Sequence, residues 1–145
     1  MGINAGMMSS NTGVWATPDD FFQKLSDKYG PFDLDPCALP ENAKCKRFFT
    51  PEQDGLSQEW TGKVFMNPPY GREIGKWVKK ASTCGAFVVG LLPARVDTAW
   101  WHDYCEPTDY WFVRGRLKFG GHKWNAPFPN AVVIWKAALR GEVGK

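Results

Sequence analysis

The stretch Lys63-Val64-Phe65-Met66-Asn67-Pro68-Pro69-Tyr70-Gly71 reads as a short apolar strand stopped by two prolines, which cannot donate to a sheet ladder. After Arg72, the residues Ile74, Trp77, Val78 and Ala81 fall at i, i+3, i+4 and i+7. That spacing predicts an amphipathic helix, with Gly85 as its stop. Ala86 to Leu92 then reads as a buried strand, and strand, helix, strand in succession predicts a parallel βαβ unit. Upstream, Phe32-Asp33-Leu34-Asp35 predicts a strand halted by Pro36. Before it, Thr17-Pro18-Asp19-Asp20 opens a helix carrying Phe21, Phe22 and Leu25 and ending near Gly30. Thr17 is its expected capping hydroxyl, Pro18 stands in the first turn, and the acids sit at the positive helix end. Downstream, a short helix is expected from Thr98 to about Cys105, capped by Asp97 or Thr98. Strands are expected near Tyr110–Val113, Leu117–Phe119 and Ala131–Trp135, with an antiparallel hairpin around Gly120-Gly121. The whole predicts an α/β fold with a mostly parallel sheet and an antiparallel C-terminal edge. Open sheets of this kind bind ligands beyond the carboxyl ends of their parallel strands. Asp35-Pro36 and Asn67-Pro68-Pro69-Tyr70 both stand there.

A length of 145 residues suits one domain, expected over residues 14–145. Met1 to Gly13 has neither a basic cluster nor an apolar stretch, so it is read as a flexible tail over residues 1–13 rather than a secretory signal, which favours an intracellular protein. No run approaches the roughly 18–20 apolar residues of a membrane span. Cys37, Cys45, Cys84 and Cys105 include no Cys-x-x-Cys, and His102 and His122 are the sole histidines, so no metal site is expected and the thiols are read as packing residues. The net charge of +3 is unevenly placed. Residues 1–71 carry six Lys/Arg against nine Asp/Glu, and residues 72–145 carry twelve against six. The second half is therefore the expected host for a polyanion.

Within Asn67-Pro68-Pro69-Tyr70, the prolines hold the main chain in a fixed extended turn that presents the Asn67 side chain beside the Pro68 carbonyl. Two carbonyl acceptors suit a planar NH2 group, which donates two hydrogen bonds. Acceptors placed for a tetrahedral nitrogen also favour the positive charge that develops when an aryl amine attacks. Tyr70 is the expected stacking surface for an extruded base.

Asn-Pro-Pro-Tyr resembles the Asp/Asn-Pro-Pro-Tyr/Phe motif of amino-methyltransferases that use S-adenosylmethionine. The wider pattern is Trp15-x-Thr17-Pro18, Phe32 through Ala38, Thr50 through Leu56, Asn67 through Arg72, Leu91 through His102 and Arg114 through Phe119. It resembles the phage-type DNA adenine-N6 methyltransferase (Dam) family from Trp15 to about Trp135. The resemblance implies a compact Rossmann-like methyltransferase fold, S-adenosylmethionine as cofactor, DNA as partner and the cytoplasm of a bacterial host cell as location. It also implies that Asn67, Pro68, Pro69 and Tyr70 are catalytic. It further implies that Thr17 and Pro18 lie over the methionine part of the cofactor, that Trp15 is also a cofactor-binding residue, that Asp35-Pro36 faces the ammonium group, and that Asp54-Gly55-Leu56 meets the adenine amine. In the same reading Asp54-Gly55 is also an ordinary turn, and Phe48 or Phe49 is either core or a wall for the cofactor adenine.

Two features depart from larger members of that superfamily. The Gly-x-Gly loop is absent, since Asp35-Pro36-Cys37-Ala38 is followed by Leu39-Pro40-Glu41-Asn42, and no acid marks a second strand end for the cofactor ribose. DNA contacts are expected from Arg72, Arg95, Arg114, Arg116, Lys118 and Lys123. Arg114, Arg116 and Lys118 alternate with Gly115 and Leu117 and would share one face of a strand. Trp100 and Trp101 are read as core and His102 as a hydrogen-bonding residue. A chain this short leaves target specificity loose or supplied by a homodimer. The alternatives are the same chemistry on RNA or a protein glutamine, or a nucleic-acid-binding module without turnover.

Overall fold

The computed structural model describes residues 15–120 and 123–136; the tail expected over residues 1–13 and Gly121 of the expected hairpin lie outside them. Helix α1, Asp19–Tyr29, forms where the capping pattern predicts it, with Asp19 and Asp20 in its first turn and Lys28 in its last, charges that suit the helix dipole. Its N-cap is Pro18, without a side-chain cap bond, so the expected cap at Thr17 is corrected. Thr17 is buried, and its hydroxyl instead accepts a hydrogen bond from the Asn67 side chain.

Among the described residues six strands form one sheet: β1 Leu34–Asp35, β2 Arg47–Phe48, β3 Lys63–Met66, β4 Phe87–Pro93, β5 Asp109–Phe112 and β6 Asn130–Trp135, in the spatial order β2-β1-β3-β4-β6-β5. The β2/β1, β1/β3 and β3/β4 pairs are parallel, and β4/β6 and β6/β5 are antiparallel, the mixed sheet the sequence predicts. Helix α2, Ile74–Thr83, joins β3 to β4 and buries Ile74, Trp77, Val78 and Ala81, the four residues of the predicted stripe. Strands β4 and β6 are buried almost throughout, which is why they read as continuous apolar runs rather than as an alternation. Among the described residues no helix is long and apolar enough to cross a membrane.

One further expectation is corrected and another is met in a different helical form. Leu117–Phe119 is not a strand: the chain turns at Gly115 (φ 76°), a left-handed conformation that breaks an extended run. Its main chain then bonds elsewhere, Leu117 O accepting from Ala126 N and Gly120 N donating to Ala16 O. Arg114, Arg116 and Lys118 are all exposed, but no strand face unites them. The helix expected over Thr98–Cys105 is present, running from Ala99 and taking π-helical form over Trp101–Cys105, with Thr98 Oγ1 accepting from Trp101 N at 3.3 Å as the expected cap. Trp101 is buried, whereas Trp100 is only half-buried, and His102 is an exposed residue 3.0 Å from Glu106.

Candidate active site

Strands β1 and β3 pair in parallel, and the chain leaves β1 for β2 on its other side. Their carboxyl ends therefore flank a point where the strand order reverses, the usual ligand crevice of an open α/β sheet. A cavity of about 400 Å³ lies there, within the roughly 300–1,000 Å³ typical of small-molecule sites. Of the residues assigned to a cofactor from sequence, Trp15, Thr17, Asp35, Pro36, Asp54, Gly55 and Leu56 line it; Pro18 does not. Asn67, Pro68 and Pro69 complete the wall.

Asn67 has a defined orientation. Its side-chain NH2 donates to the Trp15 carbonyl and to Thr17 Oγ1, the latter at 2.9 Å. Its Oδ1 is buried and, among the described residues, accepts no hydrogen bond. An orphaned buried acceptor costs about 1–3 kcal/mol, so a donor that entered the cavity beside it would be favoured. Cys37 Sγ donates to the Asn67 main-chain carbonyl at 3.2 Å, tying the end of β1 to the turn after β3.

Tyr70 is placed differently from its expected role. Its ring is only 6% exposed and packs edge-on to Phe119 and Phe128. Its hydroxyl donates to Leu91 O at 2.9 Å and accepts from Asn130 Nδ2 at 3.4 Å. Stacking on a base needs an open ring face; in this structure the ring packs inward and anchors the turn to β4 and β6.

Asp35 is a carboxyl group at the cavity wall, only 4% exposed. Lys44 N donates to its Oδ2 at 2.9 Å, but burial outweighs that bond and pushes the carboxyl up to about 6. The Lys44 ammonium lies on Asp19 at 2.6 Å. A cation entering the cavity beside Asp35 would favour its ionised form.

Asp54, at φ 53°, accepts from Leu56 N at 3.3 Å and opens the 3-10 turn Gly55–Ser57. Gly55 is held against the end of β1: a Cβ there would lie 2.1 Å from Pro36 O and 3.1 Å from Trp77. Gly55→Ala is therefore expected to destabilise the fold by about 1–3 kcal/mol through overpacking. Thermal unfolding checks this, and an unchanged midpoint would mean that the two segments separate freely.

The sequence reading missed the roles of Trp77, read only as helix core, and of Cys37, read as packing. Both line the cavity, as does Phe49, while Phe48 does not. The usable signal for Cys37 was its place two residues beyond Asp35, at a strand's carboxyl end. Asn130, buried at the start of β6, also went unnoticed; it bonds Leu92 O at 3.0 Å. The six cations assigned to DNA are all exposed. Arg72 follows β3 and Arg95 follows β4. The loop from β5 to β6, with Arg114, Arg116, Lys118 and Lys123, leaves and re-enters the sheet at Phe112 and Asn130, and Asn130 pairs with Pro93 at the carboxyl end of β4. All six thus stand at the cavity's end of the sheet.

The chain is similar to the DNA N-6-adenine-methyltransferase of Haemophilus phage HP1 (strain HP1c1), 36% identical over 101 residues that make up 66% of this chain and 58% of that protein. It is also similar to the DNA N-6-adenine-methyltransferase of Escherichia phage T1, 39% identical over 93 residues, 60% of this chain and 38% of that protein. It thus spans less than two thirds of the length of either relative. The model of the DNA N-6-adenine-methyltransferase (Dam) family matches residues 5–138, nearly the whole sequence and every element around the cavity, and the chain belongs to that family.

Proposed function

We propose that this protein transfers a methyl group from S-adenosylmethionine to the N6 amine of adenine in DNA. One observation carries the reading: Asn67 is pinned through its NH2 group and keeps its Oδ1 without a partner among the described residues, at the wall of a cavity that also holds the Asp35 carboxyl. The fold is read as a compact Rossmann-like methyltransferase domain over residues 14–145.

The residues fit the cofactor. Asp35 suits an ammonium group, and Phe49, Trp77 and Leu56 supply apolar wall for the rest. When bound, S-adenosylmethionine supplies a methyl group activated by the positive sulfur. The chain's own part is to orient and polarise the amine. Asn67 Oδ1 and the Pro68 carbonyl accept the two N6 hydrogens, and this pairing strengthens as the nitrogen becomes tetrahedral and positive. Thr17 and Trp15 O hold the Asn67 amide so that it cannot rotate its NH2 group toward the substrate. Asn67 and Pro68 are the catalytic residues in this reading; Pro69 shapes the turn and Tyr70 anchors it. No strong base is needed, because the methylated amine is acidic enough to release its proton to water.

Incubation with labelled S-adenosylmethionine and unmethylated DNA, followed by nucleoside analysis, tests the proposal: label in N6-methyladenine is expected. Label in RNA or glutamine alone, or cofactor binding without transfer, would overturn it. The DNA surface has its own test. Changing Arg114, Arg116 and Lys118 together to Gln is expected to weaken binding across sequences and to lower the log–log salt slope by roughly 0.9 for each phosphate that is no longer neutralised. Cofactor affinity should persist. An unchanged slope in the folded triple variant would move the DNA surface toward Arg72, Lys76 and Arg95.

A further inference from the structure

Trp124 is 73% exposed, more than Val96, Tyr110 or Phe112, the other exposed large hydrophobic side chains among the described residues. An indole in water forgoes the burial that normally keeps this residue in a core or an interface. Its surroundings say what it meets. The segment from Val113 to Phe128 carries Arg114, Arg116, Lys118 and Lys123 and no acidic residue. Lys123 Nζ lies 5.2 Å from the centre of the Trp124 ring, so cation and ring are presented together.

The same loop is tied to the catalytic turn at two points. Phe119 is buried against Trp15 and Tyr70 at 5.6 and 6.2 Å between ring centres. Phe128 packs on the same two rings at 5.1 and 5.5 Å. Gly120 N donates to Ala16 O at 2.8 Å, in the segment whose Trp15 carbonyl holds Asn67. Trp124 lies four residues from Gly120 and four from Phe128, so a few ångströms of chain per residue keep it within reach of the site.

Resting on the function proposed above, we propose that Trp124 is a stacking wedge. When the target adenine leaves the duplex, the indole enters the base stack at the vacated step while the loop cations hold the flanking phosphates. An aromatic side chain in the stack offsets part of the unstacking that extrusion costs. The ties at Phe119, Gly120 and Phe128 keep the wedge within a few residues of the segments that hold the acceptor. Trp124 is on this account a positioning residue: it touches the duplex but not the reacting atoms.

Single-turnover methylation by wild type, Trp124→Ala and Trp124→Phe is compared on two substrates. One is unmethylated plasmid DNA. The other is the same plasmid with a fraction of its thymines replaced by uracil and excised by a uracil glycosylase, and on it methylation is scored only at adenines that face an abasic site and so have no pairing partner. Trp124→Ala is expected to lose tenfold or more on the paired plasmid and less than threefold on the abasic one, while Trp124→Phe retains most of the rate on both. Its salt slope for DNA binding should match wild type, since no charge is removed. Equal losses on both substrates, or no loss on either, would overturn the wedge. Wild type that methylates adenine on neither substrate would instead overturn the proposed activity, so the two failures are distinguishable.

Discussion

Replacing Asn67 by Ala is expected to lower single-turnover methyl transfer by about 10²–10³, the usual loss when one preorganised acceptor or donor for the transition state is removed. The structure adds a second, smaller effect. The Asn67 NH2 group holds Trp15 O and Thr17 Oγ1, and both residues line the cavity proposed for the cofactor. Cofactor affinity should therefore fall too, but by less than tenfold. Calorimetry with S-adenosylmethionine and rapid-quench measurement of labelled DNA separate the two. A rate within a few-fold of wild type would remove Asn67 from the mechanism. A large loss of cofactor affinity with an unchanged rate at saturation would make it a structural tie for the Trp15–Thr17 segment. Thr17→Val provides a control: it deletes one acceptor for the NH2 group, leaves Oδ1 in place, and should cost far less.

For Asp35, the expected result is a cofactor affinity that depends on pH. Its carboxyl titrates near 6 in the fold against an ordinary value of 3.8, because burial disfavours the charge. In the protein alone, a raised carboxyl favours folding most below about pH 4. That contribution is lost as pH rises toward 6, a change of roughly 3 kcal/mol for a shift of this size. An ammonium ligand reverses the preference, since it binds the carboxylate. Affinity for S-adenosylmethionine should be constant above about pH 6.5 and fall by up to tenfold per unit below 6, with proton release on binding in that range. Asp35→Asn should bind ten- to a hundredfold more weakly at pH 7.5, the scale of a charge-assisted hydrogen bond, and its affinity should be flat with pH. Equal wild-type affinity at pH 5 and 7.5 would place the ammonium elsewhere in the cavity.

Much of the architecture around this site was already legible in short stretches of chain. The β3 strand, its termination at Asn67-Pro68-Pro69 and the four-residue stripe of α2 each rest on properties that act within about ten residues: a missing amide donor in proline and the helical repeat of 3.6. The parallel unit follows, because a strand and a helix that each bury an apolar face have few ways to pack. Cavity residues at strand ends, Asp35 and Asn67 above all, were legible for the same reason.

The tertiary structure alone decided the partners. Thr17 looks like a helix cap in its local sequence, yet its hydroxyl serves Asn67, 50 residues away, because the buried NH2 of Asn67 requires acceptors and strand order brings this one to it. Tyr70 looks like an open stacking ring, but the loop between β5 and β6 folds Phe119 and Phe128 over it. Leu117 and Phe119 alternate with polar residues as a strand does. Gly115 turns the chain away, and the nearest main-chain partner for Gly120 is Ala16, before the first helix. Periodicity reports which face of an element seeks burial. Which atom meets a buried hydroxyl, thiol or amide depends on the order in which distant strands assemble, and no local repeat carries that information.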